Sequence, residues 1–510
     1  MISKINTAVL SGLEGINVEV ETDISRGMPN FFIVGLAGAS VKESKERVKS
    51  AIKNSGFDFP ISRIVANLSP ANIRKEGAHL DLPIAAGILK SSEVIKGQTE
   101  NTAFIGELSL SGEIMEIDGA LPLAIEFEKM GIERLILPEG NKEEAGVLKN
   151  IEIYPVKSLL DTVKFLNGKL DIVPYKTEVK IEAEEKKGKT DFKNIRGQHA
   201  AKRAVELAAS GMHNIIINGP AGSGKTMMAS AVSGILPSLS FNEAVEITKI
   251  HSIKGENRKR EFITERPFRS PHHTSTYAAV CGGGRNALPG EISLAHGGIL
   301  FMDEFPEFDS KVIEALRQPL EDRKITVSRL DITAEYPSDF MLIATMNPCP
   351  CGNFGTEGEC ICTPRDLARY RKKLSAPILD RIDIQIDVKR VEFEEIIEKS
   401  EEESSEVIKK RIIRTHNIQR ERFKDENIFF NSQMNSEQVK KYCSIDDESI
   451  EFLKLVFDSY GLSARAYNNI LKLSRTIADM NEERNINAAH IAEAVQYRNR
   501  ISGGNYNEGI

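Results

Sequence analysis

Three stretches of the 510-residue sequence hold side chains whose types and spacing can do chemistry. The first is Gly219-Pro220-Ala221-Gly222-Ser223-Gly224-Lys225-Thr226, a full match to the phosphate-loop pattern G-x-x-x-x-G-K-[ST]. Glycines there let successive backbone N–H groups turn inward onto phosphate oxygens, and the start of a following helix adds a favourable dipole. Lys225 is placed to reach the β- and γ-phosphates of ATP, and the Thr226 hydroxyl to ligate Mg²⁺. The plainer reading is a glycine-rich turn between a strand and a helix. The β-branched run Ile215-Ile216-Ile217 before the loop and a helical stretch over 227–235 after it supply the context that the nucleotide reading requires.

The second stretch, Gly297-Gly-Ile-Leu-Phe-Met-Asp303-Glu304, is an apolar strand ending in two acids. Beside a phosphate loop, Asp303 would hold Mg²⁺, directly or through water, and Glu304 would activate the attacking water. Two acids after a strand serve equally well to cap a following helix. The third stretch is a strand over 340–345 that leads to Asn347, a side chain able to orient the hydrolytic water because ligands of open α/β sheets gather at the carboxyl ends of strands. Four of the six cysteines follow at once: Cys349, Cys351, Cys360 and Cys362. Two Cys-x-Cys pairs around a glycine-containing loop suit a tetrahedral Zn²⁺ site, the alternative being four reduced thiols. Cys281 and Cys443 are isolated and read as packing residues.

Two arginines complete the candidates. Arg381 closes an apolar run and would pair with Asp380 or Asp383, or else reach a nucleotide on a neighbouring subunit; Arg465 begins a helix and is a candidate phosphate contact. The segment 236–296, with Arg266-Pro-Phe-Arg269-Ser-Pro-His272-His273 and Cys281-Gly-Gly-Gly-Arg285, reads as loop, either lining a substrate path or carrying solvated arginines. His79, His272 and His273 read as hydrogen-bonded structural histidines.

These residues need a framework to hold them. The chain is longer than one core supports, so about two to four domains are expected. Hydrophobic residues at 41% and charged residues at 28% are ordinary for a soluble protein, no apolar run is long enough to span a membrane, and a cytoplasmic location is expected. A net charge of −7 argues against a uniformly basic nucleic-acid coat but leaves room for a local basic channel. Strands at 15–24, 31–34, 64–68, 103–110 and 134–137, with helices at 41–52, 82–89 and 121–130, indicate an α/β or α+β N-terminal domain. Residues 174–190 are charged and poor in apolar groups and read as a linker. A helix over 199–210 precedes the phosphate loop. Residues 391–425 hold a charged amphipathic helix, and 436–442, 446–459, 464–479 and 488–497 form a helical bundle in which Ser463 and Asn487 are cap candidates.

Several longer phrases are specific: Arg266-Pro-Phe-Arg-Ser-Pro-His-His, Pro289-Gly-Glu-Ile-Ser-Leu-Ala-His, Met346-Asn-Pro-Cys-Pro-Cys-Gly, Leu379-Asp-Arg-Ile-Asp and Leu462-Ser-Ala-Arg-Ala-Tyr-Asn. On these the chain resembles the ComM/YifB family of magnesium-chelatase-like AAA+ ATPases over nearly its whole length. The resemblance implies a multidomain α/β protein: a Lon-protease-like α+β domain (1–172), a linker (173–190), an AAA+ P-loop α/β core (191–390), a helical connection and C-terminal lid (391–502) and a disordered tail (503–510). It makes Gly219 to Thr226 the Walker A loop, Asp303 and Glu304 the Walker B pair, Asn347 sensor 1, Arg381 a trans arginine finger and Arg465 sensor 2. It further implies homo-hexameric rings with ATP between subunits and a DNA helicase that drives branch migration in natural transformation. Relatives in the chelatases use ATP to insert Mg²⁺ into a porphyrin. Where the Lon pattern has its nucleophilic serine this chain has His79, and near Gly119-Ala-Leu-Pro there is no matching lysine, so a serine–lysine peptidase is disfavoured. The expected function is an ATP-driven motor on single-stranded or branched DNA; the alternatives are a chelatase motor subunit and a remodelling platform that does not use DNA.

Overall fold

The computed structural model describes residues 2–178, 190–256, 261–329, 332–355, 359–390, 402–460 and 462–498. Residues 179–189 of the expected linker, the expected tail and the acidic run 391–401 lie outside them. Among the described residues no helix is long and apolar enough to cross a membrane.

Alternating apolar and polar residues at the start of the chain form a long antiparallel hairpin, β1 (Ile2–Ser11) and β2 (Glu14–Ser25), with Ile5 opposite Val20. It joins β3 (Asn30–Val34), β4 (Arg63–Ser69), β5 (Thr102–Phe104), β8 (Arg134–Pro138) and β9 (Glu152–Val156) in a seven-stranded mixed sheet of order β3-β4-β2-β1-β5-β8-β9. Strands β1 and β9 are additions to the sequence expectation. The expected strand over 103–110 divides instead into β5 and β6 (Glu107–Leu108), which pairs with β7 (Ile114–Met115). The chain leaves the sheet at Gly106, whose N–H donates to the His79 carbonyl at 2.9 Å. Helices Ala39–Asn54, Asp81–Ser91 and Ala120–Lys129 match the expected ones within a few residues.

The second sheet is wholly parallel. Its strands are β10 (Ile215–Asn218), β11 (Phe268–Arg269), β12 (Ile299–Met302), β15 (Met341–Met346) and β16 (Ile384–Asp387), in the order β11-β12-β15-β10-β16. Ile215, Ile216 and Ile217 are all inaccessible, as an unbroken apolar run should be when both faces of a parallel sheet are covered. Between β12 and β15 the hairpin β13 (Lys324–Arg329) and β14 (Ile332–Pro337) projects as a separate ribbon.

The segment 236–296 is not all loop. It contains a 14-residue helix, Phe241–Lys254, opened by a capping box in which the Ser240 hydroxyl accepts from the Glu243 N–H and the Glu243 carboxylate accepts from the Ser240 N–H. This helix packs on Ala120–Lys129. One apolar cluster holds Leu121, Ala124 and Phe127 together with Leu239, Ala244 and Ile247, so the N-terminal domain and the phosphate-loop module share a packed seam.

The C-terminal helices Ser436–Tyr442, Asp447–Tyr460, Ala464–Met480 and Ala488–Gln496 follow the expected pattern, and Ser463 and Asn487 cap theirs by accepting from Ala466 and His490 N–H groups. Their packing is fixed by a buried charge cluster. Asp479 accepts from Arg422 (2.6 Å), Arg475 (3.1 Å) and Asn431 (2.8 Å). Replacing Asp479 with Ala would leave two guanidinium groups facing each other without their carboxylate, an uncompensated burial that costs about 3 to 5 kcal/mol. Hydrogen exchange of residues 464–480 should show the lost protection in Asp479→Ala; unchanged exchange there would contradict the role given to Asp479.

Candidate functional site

Strand β10 ends at Asn218, and the chain then turns through the glycine loop into the helix Lys225–Val232. Gly222 and Gly224 adopt φ of +78° and +84°, in the left-handed region that a side chain disfavours. Lys225, only 9% exposed, folds back over its own loop: Nζ donates to the Gly219 carbonyl (2.6 Å), the Pro220 carbonyl (2.8 Å) and Asn347 Oδ1 (3.2 Å). Burial pushes its pKa below the ordinary lysine value, and the charges of Asp303 and Glu304 act in the opposite direction.

Strand β12 delivers Asp303 to the same place. The Thr226 hydroxyl donates to Asp303 Oδ2 at 3.2 Å, and the Thr345 hydroxyl, at the end of β15, donates to Asp303 Oδ1. Glu304 has a left-handed backbone, φ +52°, with its N–H toward Asp303 Oδ1 (3.2 Å) and Thr345 Oγ1 (3.3 Å). A non-glycine residue in this conformation is strained, and strain of this kind gathers at functional sites. Residues 221–227 thus line one cleft with Asp303, Glu304, Thr345, Met346 and Asn347. A carboxylate and a hydroxyl 3.2 Å apart are hard oxygen donors of the type Mg²⁺ prefers, with glycine N–H groups and an ammonium for phosphate oxygens, so the residues fit a magnesium nucleotide.

Thr345 escaped the sequence reading, as did the nearness of His273, read as a structural histidine, to Glu304. Thr345 locks Asp303 from the neighbouring strand. His273 Nδ1 stands 3.5 Å from Glu304 Oε2, while its neighbour His272 is held by Thr274 at 2.7 Å, as a structural histidine should be. His79 is buried, with Nε2 3.0 Å from the Ala8 carbonyl, and Lys75 donates to the Pro70 carbonyl.

The cleft does not include every expected residue. Arg381 and Arg465 do not line it; both donate to Glu321, in the helix Arg317–Asp322. Neither acid first considered for Arg381 is its partner. Asp383 accepts from the Asn214 N–H (3.0 Å) and faces His213 (3.5 Å), and Asp380 lies 3.9 Å from Arg498. Burial opposes the charge on Glu321, yet the two arginines hold its carboxyl below the usual range.

Arg266 and Arg269 do not lie free in solvent. Arg266 donates to Glu243 (2.9 Å), the Gly297 carbonyl (2.6 Å) and the Pro237 carbonyl (2.9 Å); Arg269 pairs with Glu291 (2.6 Å) and Glu256 (2.9 Å). Their donors are consumed in joining the loop to the helix Phe241–Lys254 and to the strand β12 region. The four clustered cysteines do converge: one sulfur from each lies within 4.8 Å of the others.

Comparison with known proteins agrees with this geometry. Residues 191–396 match the family described as magnesium chelatase, subunit ChlI; residues 20–141 match subunit ChlI of Mg-chelatase, and residues 402–498 its C-terminal family. The chain is 40% identical to competence protein ComM of Haemophilus influenzae over 493 residues, covering 96% of this chain and 95% of that protein. It is 37% identical to YifB of Escherichia coli over 501 residues, 98% and 97% of the two chains. Similarity to the magnesium-chelatase subunit ChlI homolog of Methanocaldococcus jannaschii is 23% over 333 residues, 60% of this chain and 83% of that one.

A buried ammonium with a lowered pKa fixes the direction of one pH effect. Phosphate binding needs Lys225 charged, so affinity for a nucleoside triphosphate should be full below the lowered pKa and decline as pH rises through it, before the ordinary value of 10.5. In Lys225→Ala the affinity should be weak and flat over the same range. Fluorescent-nucleotide titrations at a series of alkaline pH values measure this, and a wild-type affinity that stays constant up to the ordinary lysine pKa would contradict it.

Proposed function

We propose that this chain, which belongs to the ComM/YifB family of magnesium-chelatase-like AAA+ proteins, is an ATP-hydrolysing ring motor that acts on DNA as a helicase or branch-migration translocase. The observation that carries the ATPase part is the meeting of Lys225, Thr226, Asp303, Glu304 and Asn347 around one cleft, although they come from three separate strand ends.

In this reading the loop 219–226 cradles the phosphates and the Lys225 ammonium neutralises charge on the β- and γ-oxygens. Thr226 and Asp303 would hold Mg²⁺, which would supply positive charge to the phosphoryl oxygens. Glu304 takes the proton of the attacking water, and Asn347 orients that water. Arg381, paired with Glu321, serves as the trans arginine finger for the nucleotide of a neighbouring protomer in a homo-hexamer, and Arg465, paired with the same carboxylate, as sensor 2. Residues 1–172 form a Lon-protease-like platform without a catalytic dyad, 173–190 a linker, 191–390 the AAA+ core, 391–502 the lid and 503–510 a tail. Zn²⁺ on Cys349, Cys351, Cys360 and Cys362 completes the cofactor set in a cytoplasmic protein.

The DNA part rests on likeness to a competence protein over nearly the whole chain and on the basic groups the motor has to spare. With Arg266 and Arg269 spent internally, exposed Arg329 on β13 and exposed Arg285 beyond the glycine turn it touches remain for backbone phosphates.

Glu304→Gln should retain nucleotide affinity and lose turnover by about 10²- to 10⁴-fold, because the base is removed while the cradle is spared. Turnover at the wild-type rate would take Glu304 out of its role. Single-stranded or forked DNA should raise ATP turnover at low salt, less so as salt rises, and the Arg285→Glu, Arg329→Glu double variant should lose that stimulation. A wild-type rate indifferent to every DNA form at low salt would instead favour the chelatase-type motor or a remodelling platform.

A further inference from the structure

The loop that follows Asn347 closes a circuit. The Asn347 side chain accepts from Lys225 Nζ at 3.2 Å, and Met346, its neighbour at the end of β15, shares one buried apolar cluster with Tyr370. Tyr370 is buried in the helix Pro364–Lys372, which begins two residues after Cys362; Cys349 lies two residues after Asn347. The four cysteines therefore stand where the two arms of this circuit meet.

Their arrangement is that of a tetrahedral thiolate site. A zinc ion with Zn–S bonds of about 2.3 Å has sulfurs about 3.8 Å apart along each edge. Here Cys349 Sγ is 3.3 Å from Cys351 Sγ and 3.8 Å from Cys360 Sγ, Cys351 Sγ is 3.6 Å from Cys360 Sγ, and all four sulfurs fall within 4.8 Å of one another. A second feature points to thiolates. The Phe354 backbone N–H donates to Cys349 Sγ at 3.3 Å. Outer-shell donors of this kind orient metal-ligating sulfurs and disperse their charge. The adjoining helix is basic, and its Arg371 guanidinium lies 5.5 Å from the Phe354 ring centroid, bringing positive charge toward a site whose four thiolates exceed the charge of one Zn²⁺ by two.

We infer that Cys349, Cys351, Cys360 and Cys362 bind one Zn²⁺ that ties the end of β15 to the start of the Tyr370 helix, and that this clamp holds Asn347 in register with Lys225 for hydrolysis. The metal has no part in the chemistry: none of its cysteines lines the cleft, and it acts only by fixing the frame of a positioning residue. The coupling to hydrolysis rests on the ATPase reading above; the zinc site and the ordering of the loop do not.

The full-length protein, purified under reducing conditions without chelator, should carry about one zinc per chain by elemental analysis, and Co²⁺ in its place should give the intense visible bands of a tetrahedral tetrathiolate. Removing the zinc, or replacing Cys360 with Ser, should lower ATP turnover by about tenfold and raise hydrogen exchange over 345–372, with nucleotide affinity little changed and zinc restoring the metal-stripped wild type. Tyr370→Ala, which removes the buried ring packed against the end of β15, should keep the zinc yet reproduce the loss of turnover. A protein that takes up neither zinc nor cobalt, or that shows disulfides among these cysteines as purified, overturns the site. Zinc that can be removed with no change in exchange over 345–372, or Tyr370→Ala with normal turnover, overturns the clamp. A zinc-loaded wild type that does not hydrolyse ATP refutes the ATPase reading instead, while metal content and exchange still decide the clamp.

Discussion

The side chain of Asp303 accepts from Thr226 on one side and from Thr345 on the other, and the cleft exists only while those two hydroxyls face the same carboxylate. Thr226 follows β10, Asp303 follows β12 and Thr345 ends β15. They meet because β15 lies between the other two in a parallel sheet, with Ile217 beside Thr345 and Met302 beside Ala344. All three strands point their carboxyl ends to one edge, where backbone N–H groups, an ammonium and acidic oxygens face a common space. Loss of that strand order would scatter the same residues with no change in composition.

The remaining architecture protects this arrangement. Both faces of the sheet are apolar and covered, with Ile215 and Ile217 packed in one cluster and Ile216 in the other. The loop bearing His272 and His273 is anchored by Arg266 and Arg269 through carboxylates and carbonyls, so His273 reaches Glu304 from a fixed position. The C-terminal helices carry their own buried cluster around Asp479 and present Arg465 to Glu321, where it meets Arg381. One exposed carboxylate thus gathers two cations from two parts of the chain.

Much of the local structure was legible because it depends on neighbours in sequence. The glycine loop, the apolar strand into Asp303 and Glu304, the C-terminal helices and their Ser463 and Asn487 caps are all short-range patterns. The helix Phe241–Lys254 carried such a signal too, in Ser240 and Glu243, but the surrounding prolines and glycines suggested loop. Strand β1 was missed because its pattern has no turn residue before it and takes meaning only from pairing with β2.

What the sequence by itself determined is the chemistry available: an ammonium, a hydroxyl, two acids and an amide with strands before them, and four thiols in two close pairs. Only the tertiary structure decided which of these share a site. Lys225 and Asn347 are 122 residues apart, Thr226 and Asp303 77, Arg465 and Glu321 144, and no periodicity spans such separations. Charge made the difference hardest to foresee. An arginine bonds whichever carboxylate or carbonyl the fold brings within reach, so the partners of Arg266, Arg269, Arg381 and Arg465 were set by packing of distant elements rather than by the residues beside them.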